Sequence, residues 1–213
     1  MLDTEPLAAR AWTDAATACG VHYDTAVNGR LVGRTFVDCR TLILAHHGEA
    51  YPVDTVMAAW HGAYDAIVDR EGLVLKPGLV ELLDWLEARS IPKAVATSTR
   101  RASARTKLER TALLPRFAAL VGGDEIAQGK PAPDIFLAAA ARLGCKPGDA
   151  LVLEDSEAGM TAAARAGIPA IMVPDLVLPP ARIMDSPPWI MRTLHDVRAH
   201  LDRLQAGTAP RVG

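Results

Sequence analysis

The sequence predicts an α/β protein: an all-helical unit over residues 5–75, then a unit built on a parallel sheet covered by helices. Two observations predict this. Residues 5–75 carry helical spacing and no convincing strand. After Leu75, short apolar runs alternate with helical stretches of about 10–15 residues, the pattern of a parallel sheet whose crossovers are helices. The length is compatible with both units, because 213 residues, half of them apolar, suffice for one full core and a small insert.

In the first unit Leu7, Ala11, Ala15 and Ala18 follow an i, i+4 rhythm that Gly20 stops. Val27 to His46 and Val53 to Val68 carry further helical patterns. Lys76-Pro77-Gly78 is a turn, and Leu79, Leu82, Leu83 and Leu86 mark an amphipathic helix. Lys93 to Thr97 is a short apolar run ending in hydroxyls, the first predicted strand. A helix over about 101–112 follows, then a second strand over Ala118 to Val121. Asp134 is predicted to cap a helix from Ile135 to Leu143 that Gly144 ends. Ala150 to Leu153 is the third strand, Glu157 to Ala166 a helix with Gly167 behind it, and Ala170 to Val173 the fourth strand. The second unit is expected over 76–204, with 205–213 a disordered tail.

Composition excludes several classes. Formal net charge is −2, with 23 basic and 25 acidic residues, so there is no general polyanion binder and no nucleic-acid partner is expected. No stretch approaches the roughly 18 apolar residues of a membrane span. The N-terminus has acids at Asp3 and Glu5 and no apolar core, so it is not a signal peptide. Cys19, Cys39 and Cys145 lie far apart without CxxC spacing, which argues against disulfides or zinc and for a reducing cytoplasm. His46 and His47 are consecutive and point in different directions on a helix, a poor metal pair. Cys39, Cys145, Trp12, Trp60 and Trp85 read as packing residues.

Ligands of open parallel sheets bind at the carboxyl ends of the strands. The first predicted strand ends in Thr97-Ser98-Thr99 and the third in Glu154-Asp155-Ser156, with Gly129-Lys130-Pro131-Ala132-Pro133-Asp134 between them. Pro131 and Pro133 stiffen the loop that carries Lys130 and favour extended geometry at Lys130 and Ala132. Adjacent carboxylates are hard donors suited to Mg²⁺. Hydroxyls and N–H groups at a helix start suit phosphate oxygens. Each part alone has a purely structural reading: an N-cap at Thr97, a solvated Lys130, a helix cap at Glu154-Asp155. Jointly, they describe a site for phosphoryl transfer.

With these residues the chain resembles the haloacid dehalogenase-like superfamily, in the branch with a helical cap. AVATSTR matches its second motif at Thr97, GKPAPDIF its third at Lys130, and LVLEDSEAG its fourth at Glu154 and Asp155. The start, LDTEPLAARAW, is similar to the segment that follows the family's first motif. The resemblance implies a Rossmann-like core with residues 5–75 as cap and 1–4 as the remnant after that motif. It also implies Mg²⁺-dependent phosphoryl transfer through an aspartyl-phosphate. Thr97 would hold phosphate oxygens, Lys130 neutralise developing charge, and Glu154 with Asp155 hold Mg²⁺.

The family's first motif, DxDGT, supplies the nucleophilic Asp and the general acid/base, and it precedes the segment that Leu2 to Pro6 resembles. The chain is therefore expected to lack the nucleophile and the first strand, and to be inactive as 213 residues. Two neighbouring strands would then be left without a partner between them. The resemblance implies a small phosphorylated metabolite as substrate, a sugar phosphate among the candidates. The alternatives are a mutase of the β-phosphoglucomutase type and an inactive phosphate-binding protein. Mutases carry an arginine in the cap loop; Phe36 takes that place here, with Arg34 two residues away. Gly33, Arg34, Thr35 and Ser98 are candidate substrate contacts. Arg100 and Arg101 are candidates for lending positive potential to the phosphate, and Asp175 for supporting the site.

Overall fold

The computed structural model describes residues 1–31, 36–174 and 189–208. The chain divides into two compact units, Met1–Leu75 and Lys76–Gly213.

The first unit is helical: α1 (Glu5–Ala18), α2 (Asn28–Leu31), α3 (Phe36–His47) and α4 (Val53–Glu71). Its apolar spacing turns Trp12, Ala15 and Ala16 of α1 toward Ile43 of α3 and Val56 of α4. One turn earlier, Leu7 and Ala11 pack with Tyr64, Ile67 and Val68. Trp12 is buried, and the Trp60 indole donates to the Ala8 carbonyl at 3.3 Å, so both serve the core as expected. The two ends of the unit meet. Leu2 bridges Leu75 antiparallel, and the Asp3 N–H donates to the Val74 carbonyl at 2.8 Å.

The second unit alternates helix and strand: α5 (Leu79–Glu87), β1 (Ala94–Ala96), α6 (Arg101–Arg110), β2 (Ala119–Val121), α7 (Asp134–Leu143), β3 (Val152–Glu154), α8 (Glu157–Arg165), β4 (Ala170–Met172), β5 (Trp189–Ile190) and α9 (Leu194–Thr208). Among the described residues all the strand pairings of this unit are parallel. The strands form two sheets: β1 pairs β2 with Ala96 opposite Val121, and β3-β4-β5 form the other, with Glu154 opposite Met172. Among the described residues β1 has a strand neighbour on one side only, and so does β3. Both sheets bury their apolar residues with α7 and α8 in one cluster that includes Val121, Ile135, Phe136, Val152, Ala162 and Ile168.

Two details differ from the sequence pattern. Asp134 is the first residue of α7, behind Pro133 at the cap, and its carboxylate accepts from the Gln128 N–H at 3.3 Å instead of capping its own helix. The Pro133 carbonyl accepts from the Phe136 and Leu137 N–H groups, both at 3.1 Å, and no side chain caps the helix. And α9 runs on to Thr208, four residues into the stretch expected to be without structure. Leu194 and Val197 anchor it by burial, and the Trp85 indole donates to Asp202 at 2.5 Å.

Candidate active site

The side chains at the strand ends begin with Glu154. Strand alternation turns Val152 and Glu154 inward and Leu153 outward, so a carboxylate enters the core. Glu154 is 8% exposed, and buried charge is tolerated only when paired and hydrogen-bonded. Both its oxygens are satisfied. Oε2 accepts from Lys130 Nζ at 2.8 Å, and Oε1 accepts from the Ser156 hydroxyl at 2.7 Å. Ser156 Oγ in turn accepts from the Gly159 N–H at 3.1 Å, which caps α8. Gly159 has to be glycine here, because a Cβ would fall onto the Glu154 carboxylate.

Lys130 is held from several sides. Gly129 to Ala132 closes a turn, with the Ala132 N–H donating to the Gly129 carbonyl at 3.0 Å and the Lys130–Pro131 peptide cis. Arg165, the last residue of α8, donates to the Pro131 carbonyl at 3.0 Å. The Lys130 ammonium also lies 4.9 Å from the centre of the Phe136 ring. The loop after β2 thus brings its lysine to the carboxyl end of β3. This joins the carboxyl ends of the two sheets on one edge of the core.

At the end of β1, Thr97 continues the ladder, its N–H donating to the Val121 carbonyl at 3.0 Å. Its Oγ1 accepts from the Thr99 N–H at 3.2 Å, which leaves the hydroxyl proton to donate elsewhere. Ser98 between them is exposed. The start of α6 is engaged already: the Arg101 N–H donates to Asp124 Oδ1 at 2.7 Å, and the Arg101 guanidinium to Glu125 at 3.1 Å. Arg101 thus shares the Glu125 carboxylate with Arg142. The Glu125 carboxyl is pulled down to about 2 by Arg142 first and then by the Gly122 N–H.

Asp155 follows Glu154 and reaches the surface. Neighbouring atoms strip part of its hydration, and the adjacent Glu154 carboxylate repels its charge; both raise its pKa. A carboxylate so placed gains from a bound cation. As donors, Glu154 and Asp155 suit Mg²⁺ in kind, being hard anionic oxygens. Glu154 already accepts from Lys130 and Ser156, and each of its oxygens keeps a further lone pair, so both carboxylates could contribute to a cation site. No cluster of three or more His, Cys, Asp or Glu that could hold a metal exists among the described residues.

Lys130, Glu154, Ser156 and Asp155 come together as one group, and Thr97 and Ser98 stand at the end of β1. Gly33, Arg34, Thr35 and Asp175 lie outside the described residues. The sequence reading passed over Ser156 and Gly159. A serine at a helix start followed three residues later by glycine was the available signal. His46 is paired with Asp24 at 2.8 Å, and Cys19, Cys39 and Cys145 form no disulfide with one another.

Residues 1–167 match the family described as haloacid dehalogenase-like hydrolases. The bifunctional riboflavin kinase/FMN phosphatase of Arabidopsis thaliana is 34% identical over 158 residues, 74% of this chain but 41% of that protein's length. The validoxylamine A 7'-phosphate phosphatase of Streptomyces hygroscopicus subsp. limoneus is 31% identical over 170 residues, 79% of this chain and 78% of that one. A crystal structure from Thermotoga maritima described as a β-phosphoglucomutase superposes with a TM-score of 0.81 at 25% identity, covering 96% of this chain and 94% of that one. The family match, these relatives and the parallel strands with a lysine–carboxylate pair at their ends lead to one assignment: the chain belongs to the haloacid dehalogenase-like hydrolases.

Proposed function

We propose that the chain is the phosphate-handling part of a Mg²⁺-dependent phosphatase of small phosphomonoesters, sugar phosphates among them. The buried Lys130–Glu154 pair carries this reading. An ammonium fixed by a buried carboxylate, a stiff turn and an aromatic face is preorganised to meet charge that develops on a phosphoryl oxygen. Thr97 and Ser98 donate hydroxyl protons to the other phosphate oxygens. Glu154 and Asp155 are the ligands this chain offers to Mg²⁺, which when bound neutralises phosphate charge. Glu154 also holds the lysine. Residues 5–75 are the substrate-selecting unit, with Gly33, Arg34 and Thr35 as contacts. The phosphatase names of the relatives support the substrate class.

Glu154 holds the lysine and both carboxylates serve the metal, so neither is the phosphoryl acceptor. In this reading the accepting aspartate is not among residues 1–213. The test is a pair of measurements on this chain with Mg²⁺: inorganic phosphate binding by calorimetry, and phosphate release from a panel of sugar phosphates. Binding without turnover is expected, with turnover appearing when a strand ending in Asp-x-Asp-Gly is fused ahead of residue 1. Turnover by the 213 residues alone overturns the missing acceptor, and absence of phosphate binding overturns the site. A sugar-phosphate mutase is the second reading, favoured by the Thermotoga maritima likeness. In the fused protein, isomerised sugar phosphate instead of free phosphate would establish it.

A further inference from the structure

We propose that Asp124 and Glu125, in the loop after β2, are positioning residues that set the hydroxyl loop Thr97-Ser98-Thr99 for phosphate. The inference rests on the phosphate site proposed above.

Three hydrogen bonds and two glycine close approaches tie the two loops together. The Thr97 N–H reaches the Val121 carbonyl at 3.0 Å, one step beyond the β1–β2 ladder. The Gly123 N–H donates to the Thr99 carbonyl at 3.0 Å. Asp124 Oδ1 accepts from the Arg101 N–H at 2.7 Å, fixing the residue where the hydroxyl loop enters α6. Gly122 and Gly123 let the backbones touch: a Cβ on Gly123 would strike the Ser98 carbonyl oxygen, and one on Gly122 the Arg101 nitrogen. The loop after β2 therefore lies directly against the peptide of Ser98.

Glu125 locks that loop in turn. Its Oε2 accepts from the Gly122 N–H at 2.7 Å, and its Oε1 from Arg142 at 2.8 Å and Arg101 at 3.1 Å. Arg142, on α7, also donates to the Leu120 carbonyl at 2.5 Å. Two short strands of three residues each hold their ends poorly on their own. This carboxylate network supplies the rigidity that a hydroxyl needs to hold within about 0.5 Å of a productive position. Asp124 acts through the Arg101 backbone, and Glu125 through the Gly122 backbone, whose loop lies against Ser98.

The test is titration with inorganic phosphate, followed at the Ser98 and Thr99 amides by NMR, in the wild type, Asp124→Ala and Asp124→Asn. Asparagine keeps the Oδ1 acceptor for the Arg101 N–H, and alanine does not. Asp124→Ala is expected to weaken phosphate binding about tenfold, the scale of one lost hydrogen bond, with Asp124→Asn restoring it. Wild-type affinity in Asp124→Ala overturns the proposal, and so does an Asp124→Asn variant as weak as the alanine. Should Asp124→Ala fail to fold, amide exchange in the wild type decides. Phosphate should slow exchange at Thr99, Arg101 and Gly123 together; slowing at Thr99 alone overturns the proposal. A wild type in which phosphate moves neither the Ser98 nor the Thr99 amide removes the phosphate site itself, and the positioning role with it.

Discussion

At the scale of single residues, Lys130 and Glu154 illustrate what burial does to a charge pair. Their side chains are 12% and 7% exposed. Removing one partner leaves the other charge desolvated and unmet. Lys130→Met is therefore expected to cost roughly 3–5 kcal/mol, and replacing both residues by apolar ones less than that. Urea unfolding of the single and double variants measures the difference, and a single variant as stable as the wild type would refute the pairing argument. Much of this pair was legible. Thr97, Lys130, Glu154 and Asp155 were named from their places at strand ends. The division of labour between the two acids was not, because it depends on which of them strand alternation turns inward. Val152 already showed the answer, since Glu154 shares its side of β3 and Asp155 does not. The ion pair of Arg101 was hidden for a similar reason: Glu125, its counter-ion, lies 24 residues away and is brought near only by the pairing of β1 with β2.

At the scale of elements, α8 does more than cover the sheet. Its capping serine and its third residue shape the seat of Glu154. Gly159→Ala puts a methyl group where the carboxylate sits. Helix propensity favours alanine by about 1 kcal/mol, yet crowding a packed interior costs about 1–3 kcal/mol. The second effect should win, so the melting temperature is expected to fall and phosphate affinity with it; a raised melting temperature would show that Glu154 relocates freely. The elements themselves were read well where they are long and periodic. α4 continues three residues beyond Val68, and β3 lies two residues after the predicted start at Ala150, because the Pro147–Asp149 turn delays entry to the sheet. β5 is two residues long and shows no period to detect. Among the described residues β1 and β3 are each the edge of their sheet, as β2 and β5 are.

At the scale of the whole molecule, each unit carries a histidine that resists protonation. In the helical unit the His47 ring stacks on Tyr51 at 4.4 Å and on Tyr23 at 5.3 Å, and burial lowers its pKa below 6.5. A depressed histidine favours the folded state when neutral, so its contribution is present above pH 6.5 and is lost as pH falls through the folded value. In the sheet unit burial lowers His200 below 6.5 in the same way, while Glu125 is depressed from 4.5 to about 2 and its contribution is lost only between those values. His47→Phe should bring the acid-induced change of the Trp12 and Trp60 indole resonances to lower pH and leave that of Trp85 in place; Trp12 and Trp60 changes that do not move would contradict the assignment.

The bridge between Leu2 and Leu75 has a different kind of consequence. A segment whose entry and exit stand side by side closes its own loop, so the chain that receives it pays almost no further entropy to hold the ends together. Residues 2–75 are in that sense a cassette. A helical head of another length or sequence could be spliced through the same neck without altering the path of the strands that follow. Selectivity and chemistry would then be free to change separately, one by exchange of heads, the other by single substitutions at the strand ends.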